Sequence, residues 1–229
     1  MYIYIYIMNK KKSICIIGKG PSVLLGNSSM YNDFDEIALI NWPIIDDKYI
    51  PKRCDSMFTH YFGDQEIDEN RKKMLVTSKP WSNDDIIKYN VKNIYCCVPN
   101  DDNYIKKFIP NNYYNIKIHK HLRHIIDIMK FDNDSGLLAL TYYCEQPDVE
   151  KIFFIGFDTY TGKTSKDNYY FTPPDKITGQ YSTINNDCHD RELSIDYIQN
   201  IGKKYPNIHF NYISKINFKE YDNFKKYKI

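Results

Sequence analysis

A glycine-containing turn near the amino terminus carries the residues best suited to bind a charged ligand. A β-branched apolar run at residues 13–17 is followed directly by Gly18, Lys19, Gly20, Pro21 and Ser22. Such a run predicts a buried strand, and proline suits the first position of a helix. Glycine lets the backbone turn sharply and approach a ligand closely, and the N–H groups at a helix start attract anions. The pattern therefore predicts a phosphate, and hence a nucleotide, above this turn.

The spacing of this turn disfavours the two commonest nucleotide-binding loops. A dinucleotide fingerprint requires a third glycine at the position of Val23, and a P-loop requires Gly-Lys-Ser/Thr after four spacer residues. A Rossmann oxidoreductase and a P-loop NTPase are therefore not expected. A purely structural turn after a strand remains the alternative.

The length indicates one domain with a sizeable core, and the small net charge indicates no strong electrostatic attraction for a polyanionic partner. The chain has 229 residues and a net charge of +2. Its six cysteines show no C-x-x-C spacing, so we interpret them as buried apolar residues in a reducing, cytoplasmic compartment. Residues 1–7 alternate Tyr and Ile and are too short to span a membrane, which predicts an extra edge strand.

Short apolar runs alternate with amphipathic stretches along the chain. Strands are predicted at 14–17, 36–41, 56–59, 74–77, 93–98, 151–155 and 208–213, and helices at 119–130, 135–144 and 191–204. This alternation predicts an α/β fold, a mostly parallel sheet flanked by helices. Ligands bind such sheets at the carboxyl ends of the strands. Gly18, Asn41, His60 and Asp158 are all predicted to lie there.

We expect a single domain over residues 1–229, with terminal extensions at 1–12 and 214–229. Residues 157–188 fit no regular element, and a loop of this length in a domain is usually functional or disordered. Because it contains four tyrosines, we interpret it as a flexible lid over a bound ligand. The basic carboxyl-terminal segment could contact a membrane surface or an acidic partner, although a solvated tail is favoured.

Several short motifs, taken in order, resemble the bacterial sialyltransferases of the Campylobacter type, glycosyltransferase family 42. The family pattern Gly-Asn-Gly-Pro-Ser matches residues 18–22. Further similar motifs are Asn32-Asp33-Phe34-Asp35 with Asn41, Asp47-Lys48-Tyr49 with Lys52-Arg53-Cys54, Ser135-Gly136, Gly156-Phe157-Asp158-Thr159-Tyr160, and His189. The order and spacing hold over about residues 13–213, and animal sialyltransferases carry comparable motifs.

This resemblance implies a Rossmann-like domain of the GT-A type and a metal-independent, inverting sugar transfer from a nucleotide donor. It implies that His189 is the general base and that Tyr160, with Tyr169 or Tyr170, contacts the leaving phosphate. It also implies that Gly18, Gly20, Asn41, Ser135 and Gly136 contact the donor nucleotide. We extend this predicted donor site to Lys19, Pro21, Ser22, His60 and Asp158.

The chemistry of these residue types agrees with the implied roles. An acceptor hydroxyl must lose its proton as the new bond forms, and an imidazole is a suitable base at neutral pH. Tyrosine hydroxyls donate directed hydrogen bonds to a departing phosphate where water is excluded. A histidine that only caps the next helix, and tyrosines that only pack the loop, are the structural alternatives.

A divalent metal is not expected. The two Asp-x-Asp triplets are interpreted as a turn at Asp33-Phe34-Asp35 and a helix cap at Asp132-Asn133-Asp134, although Asp132 and Asp134 leave a metal site open. The histidines at 119, 121 and 124 have no cysteine or carboxylate at ligand spacing, so a zinc site is disfavoured.

The chain departs from the family pattern on the donor side. Lys19 replaces the Asn between the glycines, His60 replaces another Asn, Asp132 stands near a family Arg, and Asn186 stands where a tyrosine is expected. A cation at position 19 could pair with the diphosphate of a UDP- or GDP-sugar. The resemblance implies CMP-sialic acid, and these changes leave the donor open.

The sequence therefore predicts a glycosyltransferase that uses a nucleotide sugar and a glycan or other hydroxyl acceptor. Two alternatives remain: a viral or phage-type enzyme that glycosylates hydroxylated nucleic acid bases, and a non-catalytic nucleotide-binding module. Homo-oligomerisation is left open.

Overall fold

Eight parallel strands form one sheet in the described part of the chain. The computed structural model describes residues 10–59, 81–97, 117–119, 122–129, 135–159 and 191–229. The strands are β1 (Lys12–Ile17), β2 (Glu36–Ile40), β3 (Ser56–Thr59), β4 (Asn93–Cys96), β5 (Lys117–His119), β6 (Val149–Ile155), β7 (His209–Ile213) and β8 (Phe224–Lys226). Their spatial order is β5-β4-β3-β2-β1-β6-β7-β8, and every pair is parallel.

The chain order reverses between β1 and β6. From β1 the chain proceeds outward through β2 to β5, and it then returns to the other side of β1 to form β6, β7 and β8. The edge of the sheet where the strands end is called the carboxyl edge here, and the opposite edge the amino edge. Ligands of open parallel sheets bind at the carboxyl edge beside such a reversal.

Four α-helices and two 3-10 helices accompany the described strands. The α-helices are α1 (Asn83–Lys88), α2 (Arg123–Met129), α3 (Ser135–Cys144) and α4 (Arg191–Lys204), and the 3-10 helices are Pro21–Leu25 and Ser28–Tyr31. Apolar residues of α2, α3 and α4 pack on one face of the sheet, and residues of α1 and the 3-10 helices pack on the other. None of the helices in these ranges is long and apolar enough to cross a membrane.

Strand residues alternate between the two faces, and both faces are covered. Ile14 and Ile16 pack with the helices α2 to α4, whereas Cys15 and Ile17 pack on the opposite face, and all four are fully buried. Burial on both faces explains why the strands read as continuous apolar runs rather than as a polar-apolar alternation.

The predicted α/β fold with a parallel sheet is confirmed, and two elements differ from the prediction. The helix predicted at 119–130 begins only at Arg123, because Lys117–His119 forms the edge strand β5. The strand β8 lies within the predicted extension at 214–229. Its Phe224 is fully buried beside Phe210 and Tyr212, so this part of the segment belongs to the core.

Other predicted elements lie outside the described residues. These are the strand at 74–77, the Tyr-Ile segment at 1–7 and nearly all of the predicted lid, of which only residues 157–159 are described. The described cysteines are free and buried, and burial raises the pKa of the Cys96 thiol to about 12. A thiol with so high a pKa remains protonated and unreactive at neutral pH.

Candidate functional site

The loops that follow β1 and β6 lie in direct backbone contact at the carboxyl edge. The Gly18 N–H donates to the Ile155 carbonyl over 2.8 Å, and the Gly20 N–H donates to the Gly156 carbonyl over 2.9 Å. A Cβ placed on Gly18 would lie 2.5 Å from the Gly156 oxygen. Gly156 itself has a φ of +81°, a conformation that glycine adopts without strain. This contact alone requires glycine at these positions.

The carboxyl group of Asp158 joins three loops of this edge. It is 2% exposed, and its Oδ2 accepts the Ser22 N–H over 2.7 Å. Its Oδ1 accepts the Ser214 hydroxyl over 3.0 Å and the Lys215 N–H over 2.7 Å. The acidic group at the start of the 3-10 helix Pro21–Leu25 is therefore a side chain of the protein. The Ser22 N–H is thus bound within the protein, and contact of a nucleotide with this turn stays a prediction.

A second polar group forms between the ends of β1 and β2 and the start of α3. The Lys19 ammonium donates to the Asn41 carbonyl over 3.2 Å, and the Ser135 hydroxyl donates to the Asn41 Oδ1 over 3.3 Å. Lys19 and Asn41 are half-buried. A cation, an amide and a hydroxyl from three separate elements thus meet at one point of the carboxyl edge. We call Lys19, Asn41 and Ser135 the polar triad.

The turn that holds Asn41 is strained and firmly anchored. Asn41 and Trp42 have φ values of +50° and +48°, a region that costs free energy for a bulky side chain. Trp42 is 1% exposed and contacts Trp81, whose indole N–H donates to the Pro43 carbonyl over 2.8 Å. Burial of the two indole rings compensates for this conformation, which holds the Asn41 amide in one orientation. Backbone strain of this kind often marks a functional position.

Only one of the two Asp-x-Asp triplets, Asp33-Phe34-Asp35, lies among the described residues. Asp35 lies at the amino edge, away from the polar triad, and accepts hydrogen bonds from the Lys10 ammonium and from the N–H and hydroxyl of Ser13. Asp132 and Asp134 lie outside the described residues. Within the described ranges, no three His, Cys, Asp or Glu side chains are grouped to hold a metal ion.

The structure brings most of the predicted donor-binding residues to one edge. These are Gly18, Lys19, Gly20, Pro21, Ser22, Asn41, Ser135, Gly136 and Asp158. Their contacts with a nucleotide stay predictions. His60, Tyr160, Tyr169, Tyr170 and His189 lie outside the described residues.

Sequence reasoning missed three residues of this edge. Ser214 and Lys215 follow β7 and bind the Asp158 carboxyl group, and Arg191 is the first residue of α4. Position directly after the last predicted strand was the available signal for the first two. A cation at the start of a helix, where the helix dipole disfavours it, was the signal for Arg191.

Comparison with known proteins identifies the fold. No family model matches the chain, and no curated protein matches it by sequence. The sialyltransferase Cst-I of Campylobacter jejuni is 18% identical with a TM-score of 0.57, over 94% of this chain and 80% of that one. The sialyltransferase CstII of Campylobacter jejuni, in complex with CMP-3FNeuAc, is 18% identical with a TM-score of 0.56, over 88% of this chain and 81% of that one.

A second structure of CstII, with a trisaccharide acceptor and CMP, has a TM-score of 0.51 at 17% identity. It covers 88% of this chain and 81% of that chain. The chain therefore has the fold of these bacterial sialyltransferases, and the resemblance predicted from the short motifs is confirmed at the level of the fold.

Proposed function

We propose that this protein is a glycosyltransferase that moves a sugar from a nucleotide-sugar donor to an acceptor hydroxyl with inversion. The observation that carries the proposal is the polar triad, which lies at the carboxyl edge of a fold shared with two sialyltransferases. Structures of CstII hold a CMP-sugar analogue and a trisaccharide acceptor. We extend these two substrate classes, nucleotide sugar and glycan, to this chain.

The polar triad offers a donor both charge and directed hydrogen bonds. The Lys19 ammonium can pair with a phosphate, while the Asn41 amide and the Ser135 hydroxyl can hydrogen-bond to the nucleoside or to the phosphate. The Asp158 carboxyl group already accepts the Ser22 N–H and would repel a phosphate there. The donor phosphate therefore binds on the Lys19 side of the turn.

In this proposal the transfer itself depends on His189 and the tyrosines. His189 removes the proton of the acceptor hydroxyl as the oxygen attacks the anomeric carbon. The bond from that carbon to the phosphate breaks, and negative charge develops on the departing nucleotide. Hydroxyl donors from Tyr160 and from Tyr169 or Tyr170 stabilise this charge. No metal is required.

A transfer assay with a matched histidine control tests this function. The purified protein is incubated with CMP-sialic acid, UDP-sugars or GDP-sugars and an oligosaccharide acceptor, and product is followed by mass spectrometry. We expect His189→Ala to lower kcat by about a hundredfold to ten-thousandfold while donor binding is kept. His209→Ala changes an exposed histidine at the start of β7 and should leave kcat unaltered.

Two results would contradict the proposal. If no nucleotide sugar is transferred or hydrolysed, the enzyme assignment fails and a non-catalytic module remains. If His189→Ala turns over at the native rate, the base assignment alone fails. Transfer to hydroxylated DNA bases, with binding that weakens as salt rises, would move the acceptor from glycans to nucleic acid.

A further inference from the structure

Arg191 has a buried donor that no group in the described part of the chain accepts. The residue opens α4 and is half-buried, and its Nε is fully inaccessible to solvent. No hydrogen-bond acceptor lies within reach of this Nε among the residues that the structure describes. A buried donor on a charged group is costly when it is unpaired. Its retention calls for an anionic partner.

α3 and α4 begin at the same edge of the sheet, which places Arg191 at the carboxyl edge together with the polar triad. Both helices end just before the amino end of a strand, so both begin at the carboxyl edge. The Thr141 and Tyr197 hydroxyls lie 2.8 Å apart and set the two helices side by side. Ser135 precedes Thr141 by six residues, and Arg191 precedes Tyr197 by six residues. At 1.5 Å per residue, both residues lie about 9 Å back along their helices from this contact.

For parallel helices this spacing puts Arg191 at about the level of Ser135, whose hydroxyl belongs to the polar triad. Packed helix axes are typically 8–10 Å apart, a distance that an arginine side chain spans. Lys19 contributes a second cation to the same edge. A guanidinium and an ammonium at one edge fit an anion with several oxygen atoms.

Helix stability does not account for an arginine at this position. A cation in the first turn of a helix is opposed by the helix dipole. Glu192 is the acidic residue of this turn, but it is exposed and makes no ion pair with Arg191. A residue whose type is unfavourable for the local structure around it is commonly retained for function.

We infer that Arg191 binds a phosphate of the donor nucleotide. This inference rests on the proposed function and adds a residue to it. The side chain must turn for a ligand to reach the buried Nε, and the guanidinium can then donate two parallel hydrogen bonds to one phosphate, which neutralises its charge. The same contact would strengthen as negative charge develops on the departing nucleotide.

Calorimetric binding to nucleotides and to the matching nucleosides tests the inference. CMP, UDP and GDP are compared with cytidine, uridine and guanosine for the native protein, Arg191→Gln and Arg191→Lys. We expect Arg191→Gln to weaken binding of the preferred nucleotide at least about tenfold and to leave the nucleoside unchanged. Arg191→Lys keeps the charge and should weaken the nucleotide by less. Lys203→Gln removes an exposed cation from the other end of α4 and should change neither ligand.

A merely structural role would weaken nucleotide and nucleoside alike, which would overturn the inference. Native nucleotide affinity in Arg191→Gln would overturn it too, and so would equal affinities of the native protein for nucleotide and nucleoside. The assay of sugar transfer separates this failure from failure of the proposed function. Transfer that depends on His189 while Arg191→Gln binds the nucleotide normally would remove only the role of Arg191. If Arg191→Gln does not fold, the nucleotide-specific loss is measured in Arg191→Lys.

Discussion

Charged side chains at the two edges of the sheet have different kinds of hydrogen-bond partner. At the amino edge, Asp55 is paired with Arg53 over 2.7 Å and with Lys92 over 2.6 Å, and it also accepts the Ile37 N–H. Glu36 accepts hydroxyl hydrogen bonds from Ser56 and Tyr143, each over 2.6 Å. Each of these carboxylates has its partners within the protein.

At the carboxyl edge the cations are held differently. Lys19 donates to the main-chain carbonyl of Asn41, and the Nε of Arg191 has no acceptor among the described residues. Asn41 and Trp42 retain strained backbone angles. The comparison indicates that the carboxylates of the amino edge stabilise the fold, and it agrees with the proposal that the carboxyl edge binds the donor. Asp158 is the exception, because it lies at the carboxyl edge with three internal partners.

The largest expected effect on stability is that of removing the Asp158 carboxyl group. Asp158→Ala leaves the buried Ser22 N–H and the part-buried Lys215 N–H without this acceptor, and the Ser214 hydroxyl keeps only the Phe157 carbonyl. We expect the free energy of unfolding to fall by about 4 kcal/mol, since each unpaired buried group costs about 1–3 kcal/mol. Urea denaturation followed by circular dichroism measures this loss. Ser214→Ala removes one of these bonds and should cost clearly less. Equal stability of Asp158→Ala and the native protein would remove the structural role of Asp158.

Asp55→Ala tests the amino edge. Loss of this carboxylate unpairs two cations and the Ile37 N–H, so we expect a decrease of about 3 kcal/mol in the free energy of unfolding. Nucleotide affinity of the folded protein should not change, because Asp55 lies at the amino edge. Asp84→Ala, at an exposed position of α1, is the control. A change in nucleotide affinity would show that the two edges are not separate.

Lys19→Gln should have the reverse effect to Asp55→Ala: it should weaken nucleotide binding and leave the free energy of unfolding almost unchanged. Its effect on the free energy of unfolding should stay within about 0.5 kcal/mol, as for most substitutions away from the core. Nucleotide affinity should fall about tenfold, because a charged hydrogen bond to phosphate is lost. Calorimetry and urea denaturation on the same sample give both values. A stable variant with native nucleotide affinity would exclude Lys19 from the donor site.

The smallest expected effect is a pH dependence at the amino edge. The hydrogen bond from the Lys10 ammonium, with those from the Ser13 N–H and hydroxyl, holds the pKa of Asp35 well below its usual 3.8. A lowered pKa in the folded state stabilises the protein above pH 3.8, and this stabilisation is lost as the pH falls below that value. Asp35→Asn should flatten the stability profile between about pH 4 and pH 2 and leave nucleotide binding at neutral pH unchanged. A profile with the native slope would contradict this role.

The sequence was sufficient to predict the elements whose pattern is local. The β-branched run at 14–17 and the helices at 135–144 and 191–204 lie where predicted, because periodicity over a few residues determines them. The edge strand β8 has only one apolar residue, Phe224, followed by Lys225 and Lys226, and its burial depends on Tyr212 and Phe210 of another strand. No local pattern carries that information.

The same distinction between local pattern and long-range contact applies to the candidate site. Position at strand ends was enough to bring Lys19 and Asn41 together, since parallel strands share one carboxyl edge. The bond between Ser22 and Asp158 joins residues 136 positions apart, and it occupies an N–H group that the isolated turn leaves open. The glycines are required by the loop after β6, which again a single turn cannot reveal. The sequence therefore located this motif correctly, but long-range contacts determine which groups it binds.

The central position of β1 has a consequence during synthesis. β1 leaves the ribosome well before its neighbour β6, which follows about 130 residues later. At typical translation rates that side of β1 therefore waits about 10 s for its partner, with its main-chain groups bare. Three consecutive lysines, Lys10, Lys11 and Lys12, lead into this strand. Their mutual repulsion on neighbouring nascent chains would discourage premature pairing between molecules until the native partner arrives.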